Sequence, residues 1–503
     1  MSPYYYFSYL SRTALGANLL KGMDNLRKLE SVFRVLSRND LYKVHDASIR
    51  ILEQTGVIFQ CDEVLEIFKK HGAKVEGETV FIPPKMVEDT LASCPKSYIW
   101  AARDKKWSVR VGSGQEKLII SPSQGPVYVQ DMDAGRRKGT MQDYINLLKL
   151  CQESCIVNTV GAIPVEPNDI DKKEKYLMMT YELLKNIDKP MIGMILTEKE
   201  QQSVFDMIEI AAGQKGYLLD NHVISVSINP LSPLRFGSEQ LETVLAYAKK
   251  RQPVFILPCI IAGVTGPISL YGMTILQNTE ILAGMVLTQL INPGTPVVYS
   301  PASSMANMKN ASYITGSPEG NLCNIACIQM GLELYNVPTR SMAGLTDSKE
   351  IDCQAGMETM QNTLMLVASG VNIINECVGV LDSIMTVSYE KFILDEEILS
   401  RVLRIMDGID TSNENEDEEA IKEIGHSGTY LTHQTTFDYF RECWKPTVST
   451  WDTYNDWRDK GSQDIAVKAN KKYKEILNRP QEIKIHPEAD KDLQIFINKM
   501  IEK

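Results

Sequence analysis

The chain has no C-x-x-C pair, no G-x-G-x-x-G turn and no long apolar run, and each absence removes a class of function. A bilayer span needs roughly 18 or more consecutive apolar residues, so no membrane-crossing role is expected. Without a Gly-rich phosphate turn after an early strand, dinucleotide binding on a doubly wound sheet loses its main signal. Ten cysteines without a regular framework read as buried reduced thiols of a cytoplasmic protein; the i,i+4 pairs Cys151/Cys155 and Cys323/Cys327 lack histidine partners for zinc. Of the six histidines, His222 alone lies beside a predicted strand of the main domain, and it precedes that strand. No metal site is therefore expected. Basic excess is also missing: 53 Lys and Arg face 64 Asp and Glu, for a net charge of −11, which disfavours nucleic acid as a partner. The first 22 residues lack an apolar core behind a basic start and read as a tail, not a signal peptide, with Met23 an alternative beginning.

What is present is a repeated unit, clearest from Pro338 to Asp382. An apolar strand ending near Ala343 delivers Gly344, Thr346, Asp347 and Ser348. A helix follows with Met357, Met360, Leu364 and Val367 at helical spacing, and a second strand, Val371 to Asn375, delivers Glu376, Cys377 and Asp382 to the same end. Continuous apolar strands alternating with helices argue for parallel βαβ units, whose ligands bind past the strand C-termini. Eight such strands are predicted: 118–121, 157–163, 191–196, 223–228, 254–257, 297–300, 339–343 and 371–375. Their spacing of about 30 to 43 residues is that of a strand plus a crossover helix. Thr140, the Thr197-x-x-Glu200 box and Ser317-Pro318-Glu319 mark helix starts between them. The expected fold is α/β, a (β/α)8 TIM barrel over 115–410, with an open doubly wound sheet as the rival. A tail over 1–36 and an α+β cap over 37–114 precede the barrel, and a mainly helical extension over 411–503 follows it.

The segments past the strands define the expected ligand face. They carry no histidine, few basic groups (Arg235 and Lys309) and no Ser–His or Cys–His constellation, which argues against covalent catalysis. Aromatics, methionines, amides and a few carboxylates dominate, a pocket suited to an organic cation. Tyr128, Phe236, Tyr271, Tyr299 and Tyr313 serve equally well as barrel filling. Glu376 and Asp382 are candidate acids, bases or counter-charges, and Glu376 is equally a partner for loop backbone. Asp347 is a candidate of the same kind, or a cap for the next helix.

Five motifs carry a resemblance: Gln124-Gly125-Pro126, YITGSPEGNL (313–322), GLTDSKEIDCQAGMET (344–359), GVLDSIMTVSYEKFILDEEI (379–398) and GTYLTHQTTFDYF (428–440). Through them the chain, from about Leu36 to Trp457, resembles the trimethylamine methyltransferase (MttB-like) superfamily of corrinoid-dependent methyltransferases. The resemblance implies a (β/α)8 barrel and a methyl group passed to Co(I) of a corrinoid (cobalamin) carried by a cognate partner protein. Archaeal trimethylamine enzymes of this group carry pyrrolysine after the last strand. The corresponding segment here, near Met385, holds only ordinary residues. Members without it resemble quaternary-amine demethylases acting on glycine betaine, proline betaine, carnitine or γ-butyrobetaine. A tertiary-amine methyltransferase, a barrel lyase or isomerase using Glu376 and Asp382, and a non-catalytic betaine-binding scaffold are the alternatives. From strand ends alone, the expected cation cage is Phe236, Tyr271, Tyr299 and Tyr389 with Glu376 nearby. The expected carboxylate donors are Gln124, Asn229, Asn307 and Arg235. A homo-oligomer is also expected.

Overall fold

A computed structural model describes residues 32–161, 163–411, 414–480 and 482–502. The expected tail over 1–36 lies outside the described residues as far as residue 31. Eight short parallel strands form a closed barrel. They are β1 (Ile119–Ile120), β2 (Val160–Gly161), β3 (Met191–Ile192), β4 (Ile224–Ile228), β5 (Val254–Ile256), β6 (Val297–Tyr299), β7 (Arg340–Met342) and β8 (Ile373–Asn375). β2 to β6 pair in order, as do β7, β8 and β1. A parallel bridge between Tyr299 and Thr339 joins β6 to β7, and the Asn158 and Thr159 amides donate to the Ile120 carbonyl to join β1 to β2. Each strand falls inside one of the eight predicted runs.

The outer ring is α1 (Met141–Glu153), α2 (Lys172–Asn186), α3 (Glu198–Ala212), α4 (Ser238–Lys249), α5 (Leu270–Ile291), α6 (Pro318–Gln329), α7 (Cys353–Ala368) and α8 (Tyr389–Met406). Thr140 and Thr197 open α1 and α3 with reciprocal capping boxes, and Ser317 caps α6 ahead of Pro318. No helix among the described residues is long and apolar enough to cross a membrane.

The bottom of the barrel is plugged. The hairpin Ser97–Trp100/Val109–Gly112 pushes Trp100 onto Phe255 edge-on, at 5.6 Å between ring centroids, and the Trp100 indole donates to the Val223 carbonyl. Trp100 clusters with Ile119, Ile192, Phe255, Val298 and Ile373, the innermost layer of strands β1, β3, β5, β6 and β8. His222 sits at this end, its ring nitrogen 2.8 Å from the Arg251 carbonyl, far from any strand C-terminus. The remaining cap residues build three strands of a sheet to which Arg235–Phe236 adds the fourth, and there Phe236 stacks on Phe59 at 5.2 Å.

Over the opposite end, added strands roof two sides of the barrel mouth. Val380–Leu381, Thr386–Ser388, Tyr128–Asp131 and Gly135–Lys138 form one sheet beside β8 and β1. Ile261–Ala262, Ser304–Asn307 and Ser312–Tyr313 form another beside β5 and β6.

One carboxylate of α8 gathers the segment 447–449 of the C-terminal extension, whose helix Ile465–Leu477 also packs along α8. Glu397 Oε2 accepts from the Thr447, Val448 and Ser449 amides at 2.7, 2.6 and 3.2 Å, and its other oxygen accepts from the Ser449 hydroxyl and Arg401. These donors, opposing burial, hold the Glu397 carboxyl down at about 2. A carboxylate with a depressed folded value stabilises at neutral pH and loses that contribution as pH falls from its ordinary range through about 2. Glu397→Gln should therefore cost about 2 kcal/mol, the scale of losing hydrogen bonds to a charged group. Limited proteolysis should show cleavage near residues 444–460 at least fivefold faster than in the parent; equal cleavage rates would refute the anchor.

Candidate active site

A cavity of about 470 Å³ lies at the C-terminal ends of the strands. From the barrel it takes Ser227 on β4 and Asn229 after it, Leu257 and Cys259 after β5, and Arg340 and Met342 on β7, with Glu376 just past β8. Gln124 enters from the β1 loop and Ile384 from the turn between Val380–Leu381 and Thr386–Ser388. That turn is strained: Asp382, Ser383 and Ile384 all have positive φ (53°, 52° and 79°), as has Glu376 at 56°. Non-glycine residues held there cost free energy that the surrounding structure must supply, and such residues cluster at functional sites.

Arg340 dominates the electrostatics. It is 1% exposed, yet its Nε and Nη1 have no hydrogen-bond partner among the described residues. Burial pulls its guanidinium below the ordinary value while Glu376, Cys259 and neighbouring groups pull the other way. Guanidinium does not give up its proton in a protein, so the site holds a fixed, under-bonded positive charge. In the same cavity wall the Ser227 hydroxyl, and elsewhere in the barrel the Ser121, Thr159 and Ser225 hydroxyls and the Asn375 carbonyl oxygen, are also buried without hydrogen-bond partners among the described residues. Buried polar atoms are normally bonded, so the unpartnered Arg340 and Ser227 groups mark this cavity wall as one that meets something polar.

Glu376 supplies the counter-charge. Its Oε2 accepts from the Gln124 backbone amide at 2.7 Å, and Asn375 Nδ2 donates to Gln124 Oε1 at 3.3 Å. Burial pushes the Glu376 carboxyl up to about 7, against the Gln124 amide and Arg340, which favour the anion. Nearby, Asn229 Nδ2 donates to Cys259 Sγ at 3.3 Å, and burial lifts that thiol to about 11, leaving it a neutral wall, not a nucleophile.

Of the residues expected at the site, Glu376, Gln124 and Asn229 line this cavity together. The others are placed elsewhere. Tyr299 points outward from β6, its hydroxyl donating to Asn278 Oδ1 at 2.7 Å and its ring 5.8 Å from Tyr335. Phe236 is in the cap sheet. Tyr389 begins α8, donates to Asp143 Oδ1 at 2.8 Å and stacks on Tyr473 at 5.0 Å. Tyr271 is 54% exposed at the start of α5. Asn307 closes a surface turn, accepting from the Asn310 and Ala311 amides.

Asp347 does not cap α7, which Asp352 caps. It ties three loops together, accepting from the Thr315 amide and hydroxyl, the Gly316 amide and the Ser383 hydroxyl. Asp382 pairs with Arg136 at 3.1 Å and Lys349 at 3.5 Å on the rim. Arg235 is exposed beside a separate cavity near Pro230 and Thr265. Arg340 itself had a signal in the sequence: a lone arginine inside the buried strand PTRSMAG, where only a paired or functional charge survives.

A family profile described as trimethylamine methyltransferase (MTTB) matches residues 11–503. The chain belongs to that family. Among relatives of this trimethylamine methyltransferase family member, the glycine betaine methyltransferase of Desulfitobacterium hafniense is 35% identical over 92% of this chain and 96% of its own length. A proline betaine:corrinoid methyltransferase of Eubacterium limosum is 30% identical, over 89% and 96%. The solved monomethylamine methyltransferase of Methanosarcina barkeri, 12% identical, covers 91% of this family member and 92% of its own chain with a TM-score of 0.52, which shows a shared fold.

Proposed function

We propose that this protein moves a methyl group from a carboxylate-bearing quaternary amine, a betaine, to the Co(I) of a corrinoid on a separate protein. The observation that carries the substrate class is Arg340: a buried cation with two unbonded guanidinium nitrogens in the cavity calls for an anionic group. Trimethylamine and its conjugate acid bring none, and a buried arginine repels the latter. A betaine brings a carboxylate for Arg340 and a quaternary nitrogen for Glu376, so both charges in the cavity gain a partner. The betaine names of two relatives support the same class.

The chemistry asks little else of the protein. A quaternary nitrogen already bears its full charge, so the carbon–nitrogen bond breaks with its electron pair left on nitrogen, and the product is a neutral tertiary amine. The methyl carbon bonds to the incoming cobalt, whose electron pair forms the new bond. No proton moves and no covalent adduct with the enzyme is required. What the chain supplies is orientation: Arg340 fixes one end so that one N-methyl is presented to the acceptor, an effect that can reach several kcal/mol. The positive charge on nitrogen disperses during transfer, so a cage that binds the cation very strongly would favour the ground state. Among the described residues the cavity has one aromatic in its wall, Tyr176, and a carboxyl that burial has made reluctant to ionise. Both restrain ground-state binding.

A proton-transfer mechanism by Glu376 with Asp382 finds less support, because Asp382 is engaged on the rim with Arg136 and Lys349 and is not part of the cavity wall. The deciding experiment supplies Co(I) cobalamin, free and on corrinoid proteins, with glycine betaine, proline betaine, carnitine, γ-butyrobetaine, trimethylamine and tetramethylammonium. Loss of the Co(I) absorbance with a betaine, and not with trimethylamine or tetramethylammonium, is the expected result. Transfer from trimethylamine alone, or from none of the panel, would overturn the reading.

A further inference from the structure

The loop that carries Glu376 is held from behind by a buried ion pair, Lys391 and Asp395, neither of which lines the cavity. The two lie one turn apart on α8, with side chains 2% and 0% exposed and Nζ 2.5 Å from Oδ1. The other carboxylate oxygen, Oδ2, accepts from the Gly379 amide at 2.8 Å. Lys391 Nζ also donates to the Thr359 hydroxyl of α7 at 2.9 Å, and that hydroxyl donates to the Gly344 carbonyl past β7 at 3.4 Å. Gly344 lies against the backbone of the site: a Cβ there would sit 2.5 Å from the Glu376 carbonyl oxygen and 2.6 Å from that of Cys377. The contacts form a ring, from Gly344 through Thr359, Lys391, Asp395 and Gly379, that closes on Glu376 from two sides.

Glu376 needs such support. Its φ of 56° lies in the left-handed region, which a residue with a side chain adopts at a cost. In front, its amide and that of Cys377 donate to the Pro122 and Ser121 carbonyls, both at 3.2 Å, and its carboxylate accepts from the Gln124 amide. Behind, the chain reverses at Gly379, where φ is 83°; the Gly379 carbonyl accepts from the Ser388 amide at 2.7 Å while its amide is taken by Asp395. Glu376 and Ile384, which both line the cavity, stand on either side of that point. Stability alone does not explain the pair. Taking two charges out of water is costly, and apolar residues of similar volume often hold a core as well or better. What an apolar pair lacks is an acceptor of fixed direction for the Gly379 amide.

We propose that Lys391 and Asp395 are positioning residues for Glu376: by fixing Gly379 they set the backbone at Glu376 and keep its carboxylate on the Gln124 amide, facing the cavity. That Glu376 meets a quaternary nitrogen rests on the reading above; that the pair places Glu376 does not.

The test separates the acceptor from the charges. Lys391→Met/Asp395→Leu removes both, whereas Lys391→Met/Asp395→Asn removes the charges and keeps a carbonyl oxygen for Gly379. In ligand-free protein with isotopically labelled glutamate carboxyls followed by NMR, the signal lost in Glu376→Gln is that of Glu376. Glu280, which burial also raises to about 7, is the reference. A Glu376 swung off the Gln124 amide loses a donor that favours its anion, so in Lys391→Met/Asp395→Leu its midpoint should rise by about one pH unit or more. In Lys391→Met/Asp395→Asn it should stay within about 0.3 unit of the parent, with Glu280 unmoved in both. With the cognate betaine, kcat/KM should fall at least about tenfold in the first and recover to within about threefold of the parent in the second. Thr359→Val cuts only the arm to Gly344; it should move the midpoint the same way by less, and it carries the test if the leucine variant does not fold. A Glu376 midpoint unmoved in every folded variant, or moved equally with and without the Gly379 acceptor, would overturn the proposal and leave the pair structural. A shifted midpoint in a protein that demethylates nothing would instead remove the betaine reading and keep the positioning.

Discussion

Arg340→Met should lower kcat/KM for the cognate betaine by about a hundred- to a thousandfold. Truncating one member of a buried, hydrogen-bonded charge pair costs about 3–4 kcal/mol, and about 1.4 kcal/mol is a factor of ten. The loss should fall mostly in KM where the carboxylate contact is the same in the ground and transition states, and in kcat where it sets the methyl direction. Arg340→Lys keeps the charge on a single ammonium and loses the two-pronged fork, so about a tenfold loss is expected. The decisive readout is a ratio. Tetramethylammonium has no carboxylate, so removing a repelling guanidinium should admit it as a donor that the parent does not use, and the preference for betaine should collapse. A variant that lost betaine turnover and gained none with tetramethylammonium would mark Arg340 as structural. Folding is not the obstacle: without its guanidinium neighbour, Glu376 takes a proton instead of remaining a buried lone anion, and Glu376→Gln in the same chain provides that neutral state permanently.

The barrel was legible in the sequence and most of the site was not, for one physical reason. Parallel strands are covered on both faces, so they read as unbroken apolar runs whose spacing reveals the βαβ repeat but whose inward and outward residues look alike. Val298 and Tyr299 illustrate the point. Both are fully buried, yet Val298 belongs to the barrel interior with Ile373, while Tyr299 faces helix α5 and Tyr335. A cage assembled from strand-end aromatics thus collects residues that pack outward, as Tyr299 does, or against an added layer, as Phe236 does on Phe59 and Tyr389 does on Tyr473. Asn229 and Glu376 escaped this ambiguity because each directly follows the last residue of a strand, and Gln124 because it lies in the loop after β1, where the chain turns over the mouth whatever the strand parity. Arg340 was the converse case. Its charge inside an apolar strand is visible, but a residue within a strand, unlike one beyond it, carries no sign of the face it points to.

Betaine affinity should rise with pH through a transition near 7, and Glu376→Gln should abolish that transition. Burial raises the Glu376 carboxyl to about 7, so below this value the group is largely protonated and offers the quaternary nitrogen no charge. Each pH unit below the transition should weaken binding by close to tenfold, because the anion must be formed before it can face the cation. Calorimetric titration from pH 5 to 8.5 reads this directly and avoids the pH behaviour of the corrinoid acceptor. Bound substrate favours the anion, so the same group must ionise at lower pH in the complex, and the rising limb of kcat should lie below that of kcat/KM. Stability runs the opposite way. A carboxyl whose folded value is raised contributes most below its ordinary value near 4.5 and progressively less as pH climbs towards 7, so the ligand-free protein should lose stability over the window in which affinity grows. Glu376→Gln, neutral at every pH, should flatten the binding curve and remove this group's share of the stability change, leaving the share of Glu280 and Asp395, which burial also raises to about 7 and about 6. A binding curve that stayed pH-dependent near 7 in that variant would move the titrating group elsewhere and remove Glu376 as the partner of the substrate cation.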